Sequence, residues 1–163
     1  MLRVDQAGEY GATRIYAGQL AVLGDRSSAA RTIARMAAQE ARHRARFDAM
    51  LAERCARPTL LQPLWNVAGV ALGAATALIG PEAAMACTAA VETEIDRHYA
   101  DQRDQLGTSD PELSAVIEEF QAEEVEHRDT ALAHGAERAF GYPLLSAAIR
   151  LGCRAAIAVS QRI

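Results

Sequence analysis

Apolar residues recur every three or four positions in six blocks, divided by Gly, Pro and short polar runs. That is the period of a helix and not the alternation of a strand. The pattern predicts helices over about Asp5–Leu23, Ser28–Arg54 and Gln62–Ile79, then from Pro81 to Gly107, from Pro111 to near Gly135, and from Pro143 to the C-terminus. Gly24-Asp25, Pro58, Gly80 and Gly107 are the stops; Thr108-Ser109-Asp110 caps the fifth helix. Pro81 and Pro111 suit a first helical position, and Glu82 suits the positive end of the helix dipole.

Two of these helices carry a polar interruption on their apolar stripe. One stripe reads Ile33, Met36, Glu40, His43, Phe47, Met50, and the other Ile117, Phe120, Glu124, His127, Ala131. A charge on a core face is costly unless it is paired or metal-bound. Both interruptions are Glu-x-x-His, whose two side chains lie one turn apart on a shared face. The chain also repeats. Laying Glu9 on Glu92 lays Arg14 on Arg97, Tyr16 on Tyr99, Gln19 on Gln102 and Gly24 on Gly107. Laying Glu40 on Glu124 lays Ile33 on Ile117, His43 on His127 and Arg44 on Arg128. Two helix hairpins are therefore duplicates, with the third and sixth helices outside the repeat.

One Glu-x-x-His by itself is an ordinary exposed pair. Two at equivalent repeat positions, each preceded by a helix with Glu9 or Glu92 on its core face, make a set: Glu9, Glu40, His43, Glu92, Glu124 and His127. One Glu from each of two helices and Glu-x-x-His from each of two others is the ligand arrangement of ferritin-like di-metal bundles. Four carboxylates neutralise two divalent ions, and the carboxylate–imidazole mixture suits iron or manganese. Glu40 and Glu124 are the expected bridges, and the others the expected terminal ligands. The expected fold is all-α: one domain over residues 1–163, a ferritin-like four-helix bundle with a pseudo-two-fold repeat and two additional apolar helices.

Composition agrees. The chain has 36 Ala and only eight aromatic residues, which favours helices over a sandwich or barrel. A net charge of −4 argues against a nucleic-acid partner. Cys55, Cys87 and Cys153 form neither a disulfide framework nor a zinc motif. The first residues lack the apolar stretch of a signal peptide, so the expected compartment is reducing: a cytoplasmic protein or the mature part of an imported one.

Arg3-Val4-Asp5-Gln6-Ala7-Gly8-Glu9-Tyr10-Gly11-Ala12 resembles the opening signature of the demethoxyubiquinone hydroxylases of ubiquinone biosynthesis. The run from Pro81 to Glu92 followed by His98-Tyr99, the run Glu123-Glu124-Val125-Glu126-His127-Arg128-Asp129, and Gly152-Cys153-Arg154-Ala155-Ala156-Ile157 are similar to later helices of that family. Gln6 stands where many members have His, and Thr93 where a second Glu is common. The resemblance implies a di-iron monooxygenase with two Fe ions. It would use O₂ to hydroxylate the ring of a polyprenyl benzoquinone (demethoxyubiquinone or its quinol), with NADH as electron donor. It also implies a lipid-binding accessory protein of the same biosynthesis as partner. The expected location is peripheral, on the cytoplasmic face of a bacterial inner membrane or the matrix face of the mitochondrial one.

Other residues carry weaker signals. His98 reads either as a relay or brace beside the metal ligands or as a structural histidine. Tyr16 and Tyr99 read as core residues with satisfied hydroxyls that could brace the ligands. Glu123 reads as a solvated charge, with orientation of a His as the alternative. His134, Cys87 and Cys153 read as packing residues. No charge occurs between Thr59 and Pro81, but the apolar centre is shorter than the roughly 20 residues that span a bilayer. The sixth helix sets Arg150 and Arg154 beside an apolar surface. Helices over about 60–79 and 143–163 are therefore expected at a membrane surface or on a partner, with self-association where the partner is missing; the alternative is that both pack on the bundle. The rival readings are another ferritin-like di-metal protein (a peroxidase, a manganese catalase or an iron-handling subunit) and a non-enzymatic helical membrane-interaction module.

Overall fold

The computed structural model describes residues 1–25 and 27–162. It contains α1 (Leu2–Leu23), α2 (Ser28–Glu53), α3 (Gln62–Ile79), α4 (Pro81–Leu106), α5 (Pro111–Ala133) and α6 (Tyr142–Ser160), with a short 3₁₀ turn at Ala136–Arg138 before α6. No strand occurs among the described residues. Local chemistry sets the ends. The Ser27 hydroxyl accepts from the Ala30 N–H at 3.0 Å, and the Asp110 carboxylate accepts from the Leu113 N–H at 3.1 Å. Proline occupies the first turn of α3, α4, α5 and α6. Gly24 and Gly107 close α1 and α4 at φ 67° and 50°, a backbone that glycine adopts without strain.

The first helix begins three residues earlier than its pattern predicts. Leu2 and Val4 are buried, and the buried carboxylate of Asp5 accepts hydrogen bonds from α4, so tertiary contacts extend the helix backwards.

The helices pack as two similar units. The first helix packs on α2 and α3, and the fourth on α5 and α6. The expectation that the third and sixth helices stand outside the repeat therefore holds for sequence identity but not for topology. Each covers the same partner in its own half. The seam between α1 and α3 is very close. A Cβ at Gly73 would sit 2.0 Å from the Ile15 carbonyl oxygen, and one at Gly18 2.2 Å from that of Val70. Glycine lets the two backbones approach where any side chain would part them.

The apolar core has two clusters with a polar layer between them. Ile33, Met36 and Met85 belong to one, and Phe47, Met50, Ile117 and Phe120 to the other. Along α2 the stripe passes from the first cluster through Glu40 and His43 into the second. The interruption thus lies at mid-height of the bundle.

Helices α3 and α6, of 18 and 19 residues, are long and apolar enough to cross a membrane by length and composition. Their outer faces are exposed, with Leu144 of α6 at 79% and Leu78 of α3 at 75%, and Phe140 in the turn before α6 is 93% exposed. Arg150 and Arg154 do not edge that face as expected. Arg150 Nε lies 2.6 Å and Arg154 Nη1 3.4 Å from Oε1 of Glu94, a buried carboxylate of α4. A buried charge needs a counter-charge more than a lipid surface needs an arginine.

Candidate metal centre

Glu9 comes from α1, Glu40 and His43 from α2, Glu92 from α4, and Glu124 and His127 from α5. All six are buried, none more than 2% exposed. They form two overlapping groups, Glu9, Glu40, His43 and Glu124, and Glu40, Glu92, Glu124 and His127. Within each group the ligand atoms lie within 4.8 Å of one another. Glu40 and Glu124 are common to both.

Atom-level geometry shows how they are shared. Nδ1 of His43 is 3.0 Å from Glu124 Oε1, 3.5 Å from Glu9 Oε2 and 4.0 Å from Glu40 Oε2. Nδ1 of His127 is 3.0 Å from Glu40 Oε1 and 3.2 Å from Glu124 Oε2. Each shared carboxylate thus turns one oxygen towards each histidine. Several of these close atoms are not hydrogen-bonded: Glu9 Oε2, both oxygens of Glu40, His43 Nδ1, Glu92 Oε2 and Glu124 Oε1 are buried without a partner. Proximity without hydrogen-bond alignment is how ligands stand around cations, and orphaned buried carboxylate oxygens are otherwise costly. The donor set fits two divalent ions.

Electrostatics points the same way. Burial, then the neighbouring carboxylates, push Glu40 and Glu92 well above the ordinary carboxylate range. Burial also raises Glu124. Burial alone would raise Glu9, but the His43 imidazole close beside it, and then the Tyr99 hydroxyl, bring it below the ordinary value. Burial disfavours the charged form of His43 too, yet Glu124 and Glu9 outweigh that and raise it to about 10. Burial lowers His127. The protein without metal therefore holds protons where cations would compete for the same sites.

The outer partners are exchanged between halves. The Tyr16 hydroxyl on α1 donates to Glu92 Oε1 on α4 at 2.8 Å, and the Tyr99 hydroxyl on α4 donates to Glu9 Oε1 on α1. Each leaves Oε2 of its glutamate facing inward. Glu123, read from sequence as a solvated charge, instead lies 2.9 Å from His43 Nε2 and 2.8 Å from the Arg42 guanidinium. Gln39, not singled out by the sequence pattern, presents Oε1 to His127 Nε2 at 3.1 Å. Its signal was available: Gln39 and Glu123 each directly precede a Glu-x-x-His glutamate. His98 is directed elsewhere, with Nε2 3.1 Å from Asp5 Oδ1. His134 bonds Thr32. Phe120 stacks on His43 with centroids 4.0 Å apart and closes that side of the site.

An apolar cavity of about 530 Å³ opens between α3 and α6 above α1 and α4. Gly8, Gly11, Ala12, Leu72, Val91 and Ile95 are among its walls. Gly8 and Val91 adjoin Glu9 and Glu92 in the chain, so the cavity reaches the two helices that carry those ligands.

Comparison with known proteins gives a concordant picture. Residues 1–160 match the family model described as "Ubiquinone biosynthesis protein COQ7". The chain is 58% identical over 162 residues to a 3-demethoxyubiquinol 3-hydroxylase of Rhodospirillum rubrum, covering 99% of this chain and 76% of that one. It is 54% identical over 166 residues to the NADPH-dependent 3-demethoxyubiquinone 3-hydroxylase, mitochondrial, of Mus musculus, covering 99% and 76%. It is 42% identical over 179 residues to the 5-demethoxyubiquinone hydroxylase, mitochondrial, of Saccharomyces cerevisiae, covering 100% and 77%.

Proposed function

The chain belongs to the ubiquinone biosynthesis protein COQ7 family, and on that premise we propose that its buried Glu/His cluster is the two-iron centre of a ring hydroxylase. The protein is an oxidoreductase of ubiquinone biosynthesis, a 3-demethoxyubiquinol 3-hydroxylase. The observation that supports the metal reading is the convergence of four buried glutamates and two histidines with unpartnered oxygens between them. Glu9 and His43 would hold one ion, Glu92 and His127 the other, and Glu40 and Glu124 would bridge them. Two iron ions bound there supply the redox chemistry that activates O₂.

In the net reaction one oxygen atom enters a ring C–H bond. The other leaves as water, with two electrons and two protons. A reduced nicotinamide is the proposed source of the electrons. The mouse and human relatives are named NADPH-dependent, whereas the sequence resemblance implies NADH. The chain's own residues do the rest. Tyr16 and Tyr99 hold the outer oxygens of Glu92 and Glu9, and Phe47 and Phe120 exclude water from one side. The apolar cavity takes the benzoquinone ring, since Gly8 and Gly11 leave open space where side chains would project. The prenyl tail leaves between α3 and α6, whose exposed apolar faces rest on the lipid surface. A lipid-binding accessory protein or a second copy of the chain would cover the same face off the membrane. The proposed location is peripheral: on the inner mitochondrial membrane, facing the matrix, as an organellar form, or on the cytoplasmic face of the inner membrane in a bacterium.

The test is incubation of the iron-loaded protein with demethoxyubiquinol, O₂ and reduced nicotinamide. Mass analysis should show a product heavier by one oxygen, labelled from ¹⁸O₂ and not from water. Iron uptake with no oxygen transfer would favour an iron-handling or peroxidase role instead.

A further inference from the structure

The carboxylates and tyrosines of the two halves are matched pair by pair. Glu9 mirrors Glu92, Tyr99 mirrors Tyr16, and Glu40 mirrors Glu124. Behind the histidines the symmetry fails. His43 Nε2 meets a carboxylate oxygen of Glu123 at 2.9 Å, while His127 Nε2 meets the amide oxygen of Gln39 at 3.1 Å. Glu123 and Gln39 occupy the same repeat position, and Gln39 Nε2 also reaches Glu123 Oε2 at 3.4 Å.

With a cation held at the inward Nδ1, the outer nitrogen of each ring would carry the proton and donate it to the acceptor behind. An ionised acceptor holds that proton more strongly than a neutral amide does. The ring it holds is in turn the better electron donor through Nδ1. Arg42 draws on the same carboxylate, but its side chain is 57% exposed, whereas that of Glu123 is 21% exposed. Water screens the arginine more than the bond facing His43.

We propose that the two metal positions are unequal, that the Glu9–His43 position fills first, and that Glu123 and Gln39 are the positioning residues that set this order. The inference rests on reading the cluster as a two-metal centre. It assigns the exchanged outer residues a purpose beyond packing: loading the two ions in sequence.

The experiment titrates the full metal-free chain, labelled with nitrogen-15 at histidine, with Zn²⁺, which is diamagnetic and redox-inert. The expected result is that the His43 Nδ1 resonance shifts below one equivalent and that of His127 only between one and two, with affinities about tenfold apart. Glu123→Gln keeps a hydrogen-bond acceptor and should bring the two steps together. Exchanging the pair (Glu123→Gln with Gln39→Glu) should reverse the order. Simultaneous filling in the unaltered protein, His127 filling first, or an order that survives Glu123→Gln would overturn the proposal. The unaltered chain decides the order even if a variant does not fold. Failure to take up two ions at all would instead overturn the metal-centre reading beneath it.

Discussion

Tyr16 and Glu92 lie on different helices and in different halves of the repeat, yet the tyrosine hydroxyl donates to the carboxylate at 2.8 Å in a fully buried setting. The helix that carries Tyr16 has its own glutamate, Glu9, which is held instead by Tyr99 from α4. Each half of the bundle braces the buried glutamate of the other.

Tyr16→Phe should therefore act at a distance in sequence. It removes the partner of Glu92 Oε1 and leaves that oxygen buried and unsatisfied, a penalty of about 1–3 kcal/mol. Calorimetry should show a lowered Tm for the metal-free protein, and metal titration should show weakened uptake at the His127 side before the His43 side. A Tm equal to that of the unaltered chain would mean that this bond contributes nothing to the fold.

Glu124→Ala removes an oxygen from both ligand groups at once. Bound iron should fall well below two per chain and hydroxylation should be lost, while circular dichroism stays helical. Full oxygen transfer by this variant would refute the site.

The metal-free protein should lose stability between pH 7 and 9. Glu40, Glu92 and Glu124 titrate higher in the fold than unfolded, and His43 does so at about 10 against an ordinary 6.5. The folded state then binds more protons, so its advantage falls as pH rises, by about 1.4 kcal/mol per pH unit for each excess proton. Glu9 and His127 shift downward and act below this window. Saturating Mn²⁺ should flatten the slope, because cations replace the protons. Denaturant melts at each pH, with and without metal, check both statements.

Gly73→Ala should part α3 from α1. Its Cβ would lie 2.0 Å from the Ile15 carbonyl oxygen, and overpacking of this kind costs about 1–3 kcal/mol. Gly8→Ala has open space and should stabilise α1 by about 0.5–1 kcal/mol while narrowing the cavity, visible as a raised KM. Urea unfolding of the two variants separates seam from cavity.

Val67→Glu tests the apolar face. Val67 is 67% exposed on α3, so the charge should leave the fold intact and shift the protein from liposomes to the soluble fraction in flotation assays. Leu72 is unsuitable for this purpose because it faces the cavity. Arg150 and Arg154 are unsuitable because they hold Glu94. Unchanged liposome binding by Val67→Glu would count against a lipid-facing α3.

Much of this protein was legible along the chain. Helix periodicity, the Pro and Gly stops and the duplicated Glu-x-x-His spacing are local features, so they located six helices and singled out Glu9, Glu40, His43, Glu92, Glu124 and His127, which the fold brings into one buried cluster. What crosses between helices was not legible. Glu123 read first as a solvated charge and only second as a group orienting a His, because the sequence does not show that His43 and Arg42 of α2 meet it. Gln39 stood one residue before a Glu-x-x-His glutamate, but an amide there is unremarkable until a histidine from another helix meets it. Arg150 and Arg154 read as a lipid-facing edge because nothing in their own helix shows the buried Glu94 opposite. Periodicity says which face of a helix turns inward. Only the packing of one face on another decides which charges meet there, because a hydrogen bond depends on distances of about 3 Å that sequence separation does not encode.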